Sequence, residues 1–447
     1  MKRSKETLVF IFLAICFLFI TDAKGATINA LSCSQSDVRS AINSSSSGDR
    51  VIVPSGTCTW SSGITITGKS IVVQGEGIDI TTINASATAF TLTGMQSSRI
   101  TGFTINVSGG NGVNIFGGQN WRIDHNKFSS NTARNLWVDA ISGAGVNYIP
   151  YGVFDNNQFV GMWVITFGRA HQEWYEPTNF GSVEATYIED NTFIGPPGNS
   201  EWLVADANYG GRVVFRYNSI TVPSQSPTSY SGNFQWHSLQ GGGLVRGSRK
   251  FEVYGNVWES KRSSGSTVAA YLRAGTGVMF ENSFINYQGG GNAMLLDNVR
   301  SYEPRDPYGQ CNGTAIGNID GNTSPTATYS GWPCRDQIGR GKDAFLFVAE
   351  SPPYPNQALE PVYQWENYHY TSRANYNLGK AYGKVVNFGV SGQGYCKTHI
   401  VSNRDFYDRS QKPGYTPYTY PHPLRGEPGV QLKTLQNLRI IDMMSDN

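Results

Sequence analysis

Hydrophobic and polar residues alternate along this chain in short runs, and one pattern returns throughout residues 99–287. An apolar run precedes an Asn, and a large apolar residue follows two positions later. The six instances are Asn126 with Phe128, Asn157 with Phe159, Asn191 with Phe193, Asn218 with Ile220, Asn256 with Trp258 and Asn282 with Phe284. Successive Asn positions lie 31, 34, 27, 38 and 26 residues apart. A ragged repeat of this size, rich in Gly and β-branched residues, marks a solenoid. Each unit adds a second apolar run, such as Leu136 to Val138, Trp163 to Ile165, Trp202 to Val204 and Ala293 to Leu295. No helix-length apolar pattern separates the runs, which argues against leucine-rich and helical repeats. Several short strands per unit, stacked on those of the next unit, make a single-stranded, all-β parallel β-helix. Asn suits its turn because it tolerates left-handed backbone and can hydrogen-bond to its copy one coil along.

The pattern divides the chain. Residues 1–25 carry Lys2, Arg3 and Lys5 ahead of an apolar run from Leu8 to Ile20, with small residues near Ala23, and read as a cleaved export signal. Residues 26–60 form an N-terminal cap, with one short helix from Ser36 to Ile42 over the open end of the solenoid. Residues 61–395 form the β-helix, interrupted by a large loop at about 298–342. After Tyr287 the repeat fades, with strands expected at Ala344 to Val348, Val362 to Trp365 and Lys384 to Phe388. Residues 396–447 are an irregular Tyr/Pro-rich tail, where Pro417, Pro421 and Pro423 forbid regular structure. Its tyrosines are expected along the solenoid wall, with His422 structural, and Leu432 to Ile441 has helical spacing suited to capping or assembly.

Composition fits a secreted or extracellular location. Net charge is +2 with only 15% charged residues, which implies neither nucleic acid nor membrane as partner. The mature chain has five cysteines without CxxC spacing, so a cysteine-based zinc or redox site is not expected. Cys33 with Cys58 and Cys311 with Cys334 are the economical disulfide pairs in an oxidising compartment. Cys396 is then left over, a possible route to self-association.

The segment from Ser36 to Gly77, with Gly48-Asp-Arg-Val-Ile-Val-Pro54 followed by Ile64-Thr-Ile66 and Ile71-Val-Val73, resembles the start of right-handed β-helix proteins of the pectate-lyase-like superfamily. The Asn-containing coils resemble the body of those proteins, and Gly414 to Leu424 resembles the ending of secreted bacterial ones. Activity motifs do not carry over. Trp121 to His125 is similar to a Trp-Ile-Asp-His stretch of pectate lyases, with Arg122 inserted. The Arg-x-Pro-x-x-Arg element has only Arg305 and Pro307 as counterparts, with Gln310 in place of the second Arg. The Gly-His-Gly and Arg-Ile-Lys motifs of polygalacturonases are missing.

Aligning the units on their Asn residues brings Asp139, Asp206, His237, Arg273 and Asp297 to similar places at the ends of the second strands. With strands about 4.8 Å apart, Asp139 and Asp206 would lie about 10 Å from each other, at the outer edge for an inverting carboxylate pair. In a hydrolase, one Asp protonates the leaving oxygen while another activates water. In a uronate lyase, a base removes the proton beside the sugar carboxylate and a cation stabilises the charge. The superfamily resemblance implies Arg273 as base, with Asp206 and Asp297 holding calcium. His237 is the alternative base, since a free imidazole changes charge near working pH. The alternative reading is that these residues are solvated polar ends of strands.

A second cluster, Arg169, His171, Glu173, Trp174, Tyr175 and Glu176, suits either sugar binding on a loop or packing onto the wall. Trp137, Trp163, Trp202 and Trp236 suit either a stacking platform or, better, the core. Arg300 adds a cation for an acidic sugar. The expected function is binding of an extracellular polysaccharide with lyase-like cleavage. The alternative is a non-catalytic glycan-binding or filament-forming surface protein.

Overall fold

The computed structural model describes residues 25–94, 97–139, 150–167, 177–195, 202–208, 210–225, 232–238, 247–266, 268–287, 293–297, 337–341, 359–380, 388–391 and 400–426. The chain forms a right-handed parallel β-helix with three stacked sheets. Sheet 1 holds twelve parallel strands, from Thr27–Asn29 through Arg50–Val53, Val72–Gly75, Arg99–Thr101 and Gln119–Asp124 to Val362–Trp365 and Phe406–Asp408. Sheet 2 runs from Gly56–Trp60 through Thr192–Ile194 and Val257–Ser260 to Tyr368–Tyr370. Sheet 3 runs from Ile64–Thr67 through Leu203–Ala207, Asn233–Trp236, Ala270–Leu272 and Met294–Asp297 to Gly389–Ser391. Two long strands, Lys127–Asp139 and Gln158–Phe167, bend across both and join sheets 2 and 3.

The repeated Asn sits at the corner between sheets 1 and 2. Each one is buried, and its side-chain Oδ1 accepts the backbone N–H at the same corner one coil earlier, from Phe103 to Asn126 at 3.0 Å and between Asn copies thereafter, as from Asn157 to Asn191 at 2.9 Å and from Asn218 to Asn256 at 2.9 Å. The Nδ2 groups donate along the same column, at 3.0 Å between Asn256 and Asn282. The column continues to Asn367, 85 residues beyond Asn282, with Nδ2 to Oδ1 at 2.9 Å. The left-handed residue is not the Asn, as expected, but the one before it. His125, Asn156, Asp190, Tyr217, Glu281 and Glu366 take φ between 51° and 56°, and Gly255 takes 65°. That conformation turns the corner while the Asn satisfies the backbone groups it exposes.

The apolar residue two positions on points inward and stacks. Phe128, Phe159 and Phe193 lie 5.3 and 5.0 Å apart in successive coils, and Trp258 and Phe284 lie 5.5 Å apart. Such contacts add to the burial of these rings. Trp202 and Trp236 are fully buried core residues. Trp137 instead points outward and is half-buried, while the side chain of Trp163 lies outside the described residues.

At the N-terminal end, helix Gln35–Ser44 is capped by Ser34, whose side chain accepts from the Asp37 N–H, and it buries Val38, Ala41 and Ile42 over the first coil. Coils begin earlier than the expected boundary at 61, because Thr27–Asn29 pairs with Arg50–Val53 and Gly56–Trp60 pairs with Thr81–Ala85. They also end later than 395, because Phe406–Asp408 pairs with Val362–Trp365. Both outlying strands have only three residues, too few to show alternation. Cys33 and Cys58 are disulfide-bonded, which fits an oxidising compartment. Cys311, Cys334, Cys396, residues 1–24 of the expected export signal, residues 298–336 of the expected loop and Leu432 to Ile441 lie outside the described residues. Among the described residues, no helix is long and apolar enough to cross a membrane.

The tail lies over sheet 1. Tyr415 Oη donates to Glu252, and Arg216 donates to the Tyr418 and Thr419 carbonyls. Arg425 reaches Asp155, Glu189 and Asp190. Burial alone would raise the Glu189 carboxyl, but Arg216 and Arg425 outweigh it and hold the group below its usual range.

Candidate active site

Side chains at alternate positions of sheet 3 face outward. The inward row Val138, Phe167, Ala207, Trp236, Leu272 and Leu296 is fixed by strand register. Asp139, His237, Arg273 and Asp297 each follow a member of that row and share one outward position. Asp206 is on the same outward face but two residues earlier, in register with Thr166, Gln235 and Tyr271. The Asn alignment therefore placed the five residues on one outward face, as the register does, but displaced one member by two residues. Uneven insertions between corner and strand, which the sequence cannot place, cause the offset.

The structure brings four of the five residues into one connected cluster. His237 Nε2 lies 2.6 Å from Asp206 Oδ1. Arg273 Nη2 lies 2.7 Å from His237 Nδ1. The same Nη2 lies 3.2 Å from His237 Nε2. The Arg273 guanidinium lies over the Tyr271 ring, 4.6 Å from its centre, and Tyr271 Oη donates to Asp297 Oδ2. Arg273 and Asp297 are 3% and 2% exposed, whereas Tyr271 is half-buried, so the phenol is the member most open to a ligand. Arg134 flanks the cluster, with its guanidinium 4.7 Å from the Trp137 ring centre. Burial holds the Arg134 guanidinium below its usual range, and nearby Asp206 opposes that shift.

Tyr271 was missed by sequence reasoning. The signal was its place two residues before Arg273, hence on the same face of one strand.

Two expected pairings do not fit this register. Asp139 and Asp206 are two coils apart and offset by two residues, so about 12 Å separates their strand positions, beyond an inverting pair. Asp206 and Asp297 are three coils apart, about 14 Å or more, too far to ligate one calcium ion. No step through calcium is derived at these residues. Arg169, His171, Trp174 and Arg300 lie outside the described residues.

A separate set, Asp124, His125 and Asp155 on sheet 1, has potential metal-ligating atoms within 4.8 Å of one another. Their carboxylates are already engaged. Arg99 grips Asp124 at 2.7 and 2.6 Å, Arg122 grips Asp155 through two contacts of 2.8 Å, and His125 Nδ1 lies 2.7 Å from Asp124. This is a buried ion-pair ladder under the tail, with donors where a cation would sit.

Comparison with family models finds no match, and no curated protein matches the chain. Among solved structures the chain is similar to a mutant of a PL6 family alginate lyase, at 14% identity and a TM-score of 0.35, covering 60% of this chain and 40% of that one. It is also similar to a family 28 exopolygalacturonase of Yersinia enterocolitica, at 12% identity and a TM-score of 0.36, covering 59% and 72%. An alginate lyase of Paenibacillus sp. matches at 11% identity and a TM-score of 0.36, covering 58% and 95%. The match thus spans less than half of the first of these proteins. Scores this low establish no kinship, and the chemistry of the site rests on its own residues.

Proposed function

We propose that this chain binds an acidic extracellular polysaccharide along the outward face of sheet 3 and cleaves it by β-elimination at a uronate. The connected Asp206–His237–Arg273–Tyr271–Asp297 cluster supports this reading. The Asp297 carboxylate takes the phenol proton of Tyr271, and the Arg273 guanidinium over the ring favours the resulting phenolate. That phenolate removes the proton beside the sugar carboxylate. The electron pair forms a carbon–carbon double bond as the glycosidic C–O bond breaks, and the phenol returns its proton to the leaving oxygen. Arg273 serves as the cation for the developing charge rather than as the base, because a guanidinium that donates to His237 stays protonated. His237 and Asp206 position it. The carboxylate separations disfavour hydrolysis.

The assay is a screen of acidic and neutral polysaccharides that reads unsaturated-sugar absorbance and new reducing ends together. Unsaturated product is expected from a uronate polymer, with the rate falling about 10²- to 10⁴-fold in Tyr271→Phe, the cost of removing a proton-transfer group. Reducing ends without unsaturation would refute the elimination. A second reading, a binding protein without turnover, is favoured by the near-complete burial of Arg273 and Asp297. Tight binding with no product in any reaction would establish it.

A further inference from the structure

Where sheet 1 begins, a cleft of about 460 Å³ opens between the first coils and residues 423–426 of the tail. Strand register places Arg50, Val72, Arg99 and Arg122 in one outward row on four successive coils. The row is about 14 Å long at the spacing of parallel strands. Arg99 and Arg122 are each held by a bidentate carboxylate, Asp124 and Asp155. Arg50 differs. Its Nη1 donates to a neutral partner, Gln74 Oε1, so its charge is not compensated there. The acid in the lining, Asp49, has both oxygens engaged, accepting from the backbone N–H groups of Ala26 and Ser46 at 2.7 Å each. Half-buried Val72 gives the cleft an apolar floor, and Leu424 of the tail gives it an apolar wall.

We infer that this cleft is a second, non-catalytic binding site for an acidic saccharide. Arg50 receives the sugar carboxylate, and the C–H face of the ring packs between Val72 and Leu424. Guanidinium matches a planar carboxylate through paired N–H donors. A bare inorganic anion would use the arginine and neither apolar surface. The site lies on sheet 1, whereas the proposed cleavage site lies on sheet 3, so a polymer held here is anchored without being cut.

The test is titration calorimetry of the mature protein with trigalacturonate, maltotriose and inorganic phosphate. Arg50→Ala is the first variant. The second is Asn120→Asp, which adds a negative charge at an exposed lip position of φ 61°, a conformation Asp tolerates. Both are expected to weaken trigalacturonate binding at one site about five- to tenfold, with cleavage unchanged. The effect should shrink as salt screens the pair. Arg273→Ala should leave this site intact, so loss of cleavage and loss of anchoring are read separately. Trigalacturonate should also protect Arg50 from an arginine-specific reagent, as mapped by peptide mass. Unchanged affinity in both variants would overturn the inference, as would phosphate or maltotriose binding as tightly as trigalacturonate.

Discussion

Replacing Asn218 by Ala tests whether the corner column holds the coils together. Asn218 is 1% exposed, so water cannot replace what is lost. Its Oδ1 accepts from the Asn191 backbone N–H at 3.0 Å and from Asn191 Nδ2 at 3.1 Å. Its Nδ2 donates to the Ile188 carbonyl at 2.9 Å and to Asn256 Oδ1 at 3.0 Å. Alanine removes all four bonds, but the damage is unequal. Asn191 Nδ2 keeps the Phe154 and Glu189 carbonyls, and Asn256 Oδ1 keeps the Asn218 backbone N–H. The Ile188 carbonyl keeps its place in the parallel ladder with the Arg212–Arg216 strand, so the full penalty falls on the Asn191 N–H, at about 1–3 kcal/mol for a buried group left unpaired. With the smaller cost of the other bonds, a loss of about 2–3 kcal/mol is therefore expected. Urea unfolding followed by circular dichroism and tryptophan fluorescence measures it, with exposed Asn43→Ala as a control expected within about 0.5 kcal/mol of wild type. A loss below about 1 kcal/mol for Asn218→Ala would mean that stacked aromatics, not the column, set the stability of the coils.

Two further outcomes follow from packing and titration. Burial pushes the His422 imidazole down from 6.5 to about 4, with Arg216, Arg425 and Arg122 adding to the effect and Glu189 opposing it. The unfolded chain binds a proton below pH 6.5 that the folded chain refuses until about pH 4, so stability falls as pH drops through that window. The full effect is about 3 kcal/mol, and His422→Asn should flatten that part of the pH–stability curve; equal slopes would refute it. A Cβ at Gly277 would lie 2.2 Å from the Phe251 ring, so Gly277→Ala should cost about 1–3 kcal/mol by overpacking. Phe251→Leu in the same chain should recover part of the lowered Tm, and no recovery would place the strain elsewhere.

Much of the fold was legible because Asn and a large apolar residue recur two positions apart, which fixes corner and core together. The seventh copy escaped notice because His369 stands where the apolar residue should, and because 85 residues separate Asn367 from Asn282. The role of the left-handed residue was also hidden. His, Asn, Asp, Tyr, Gly and Glu all occupy it, so composition carries no signal there, and only backbone angles reveal it. The site was legible as a face but not as a set of contacts. Asp206 needs its two-residue offset to approach His237 diagonally, and Tyr271 stands out only once register places its ring beneath Arg273.

The long step between Asn282 and Asn367 bears on how such a chain can diversify. The hydrogen bonds across that step, 3.2 and 2.9 Å, match those across a 26-residue step. Registration is thus restored locally at each corner, whatever length of chain intervenes. Closing a longer loop costs only about 0.6 kcal/mol per doubling, so segments can lengthen at the other turns without disturbing the coils on either side. New surface can therefore be grafted onto this scaffold one turn at a time, and a foreign loop placed between two intact Asn corners should leave the neighbouring strands in register.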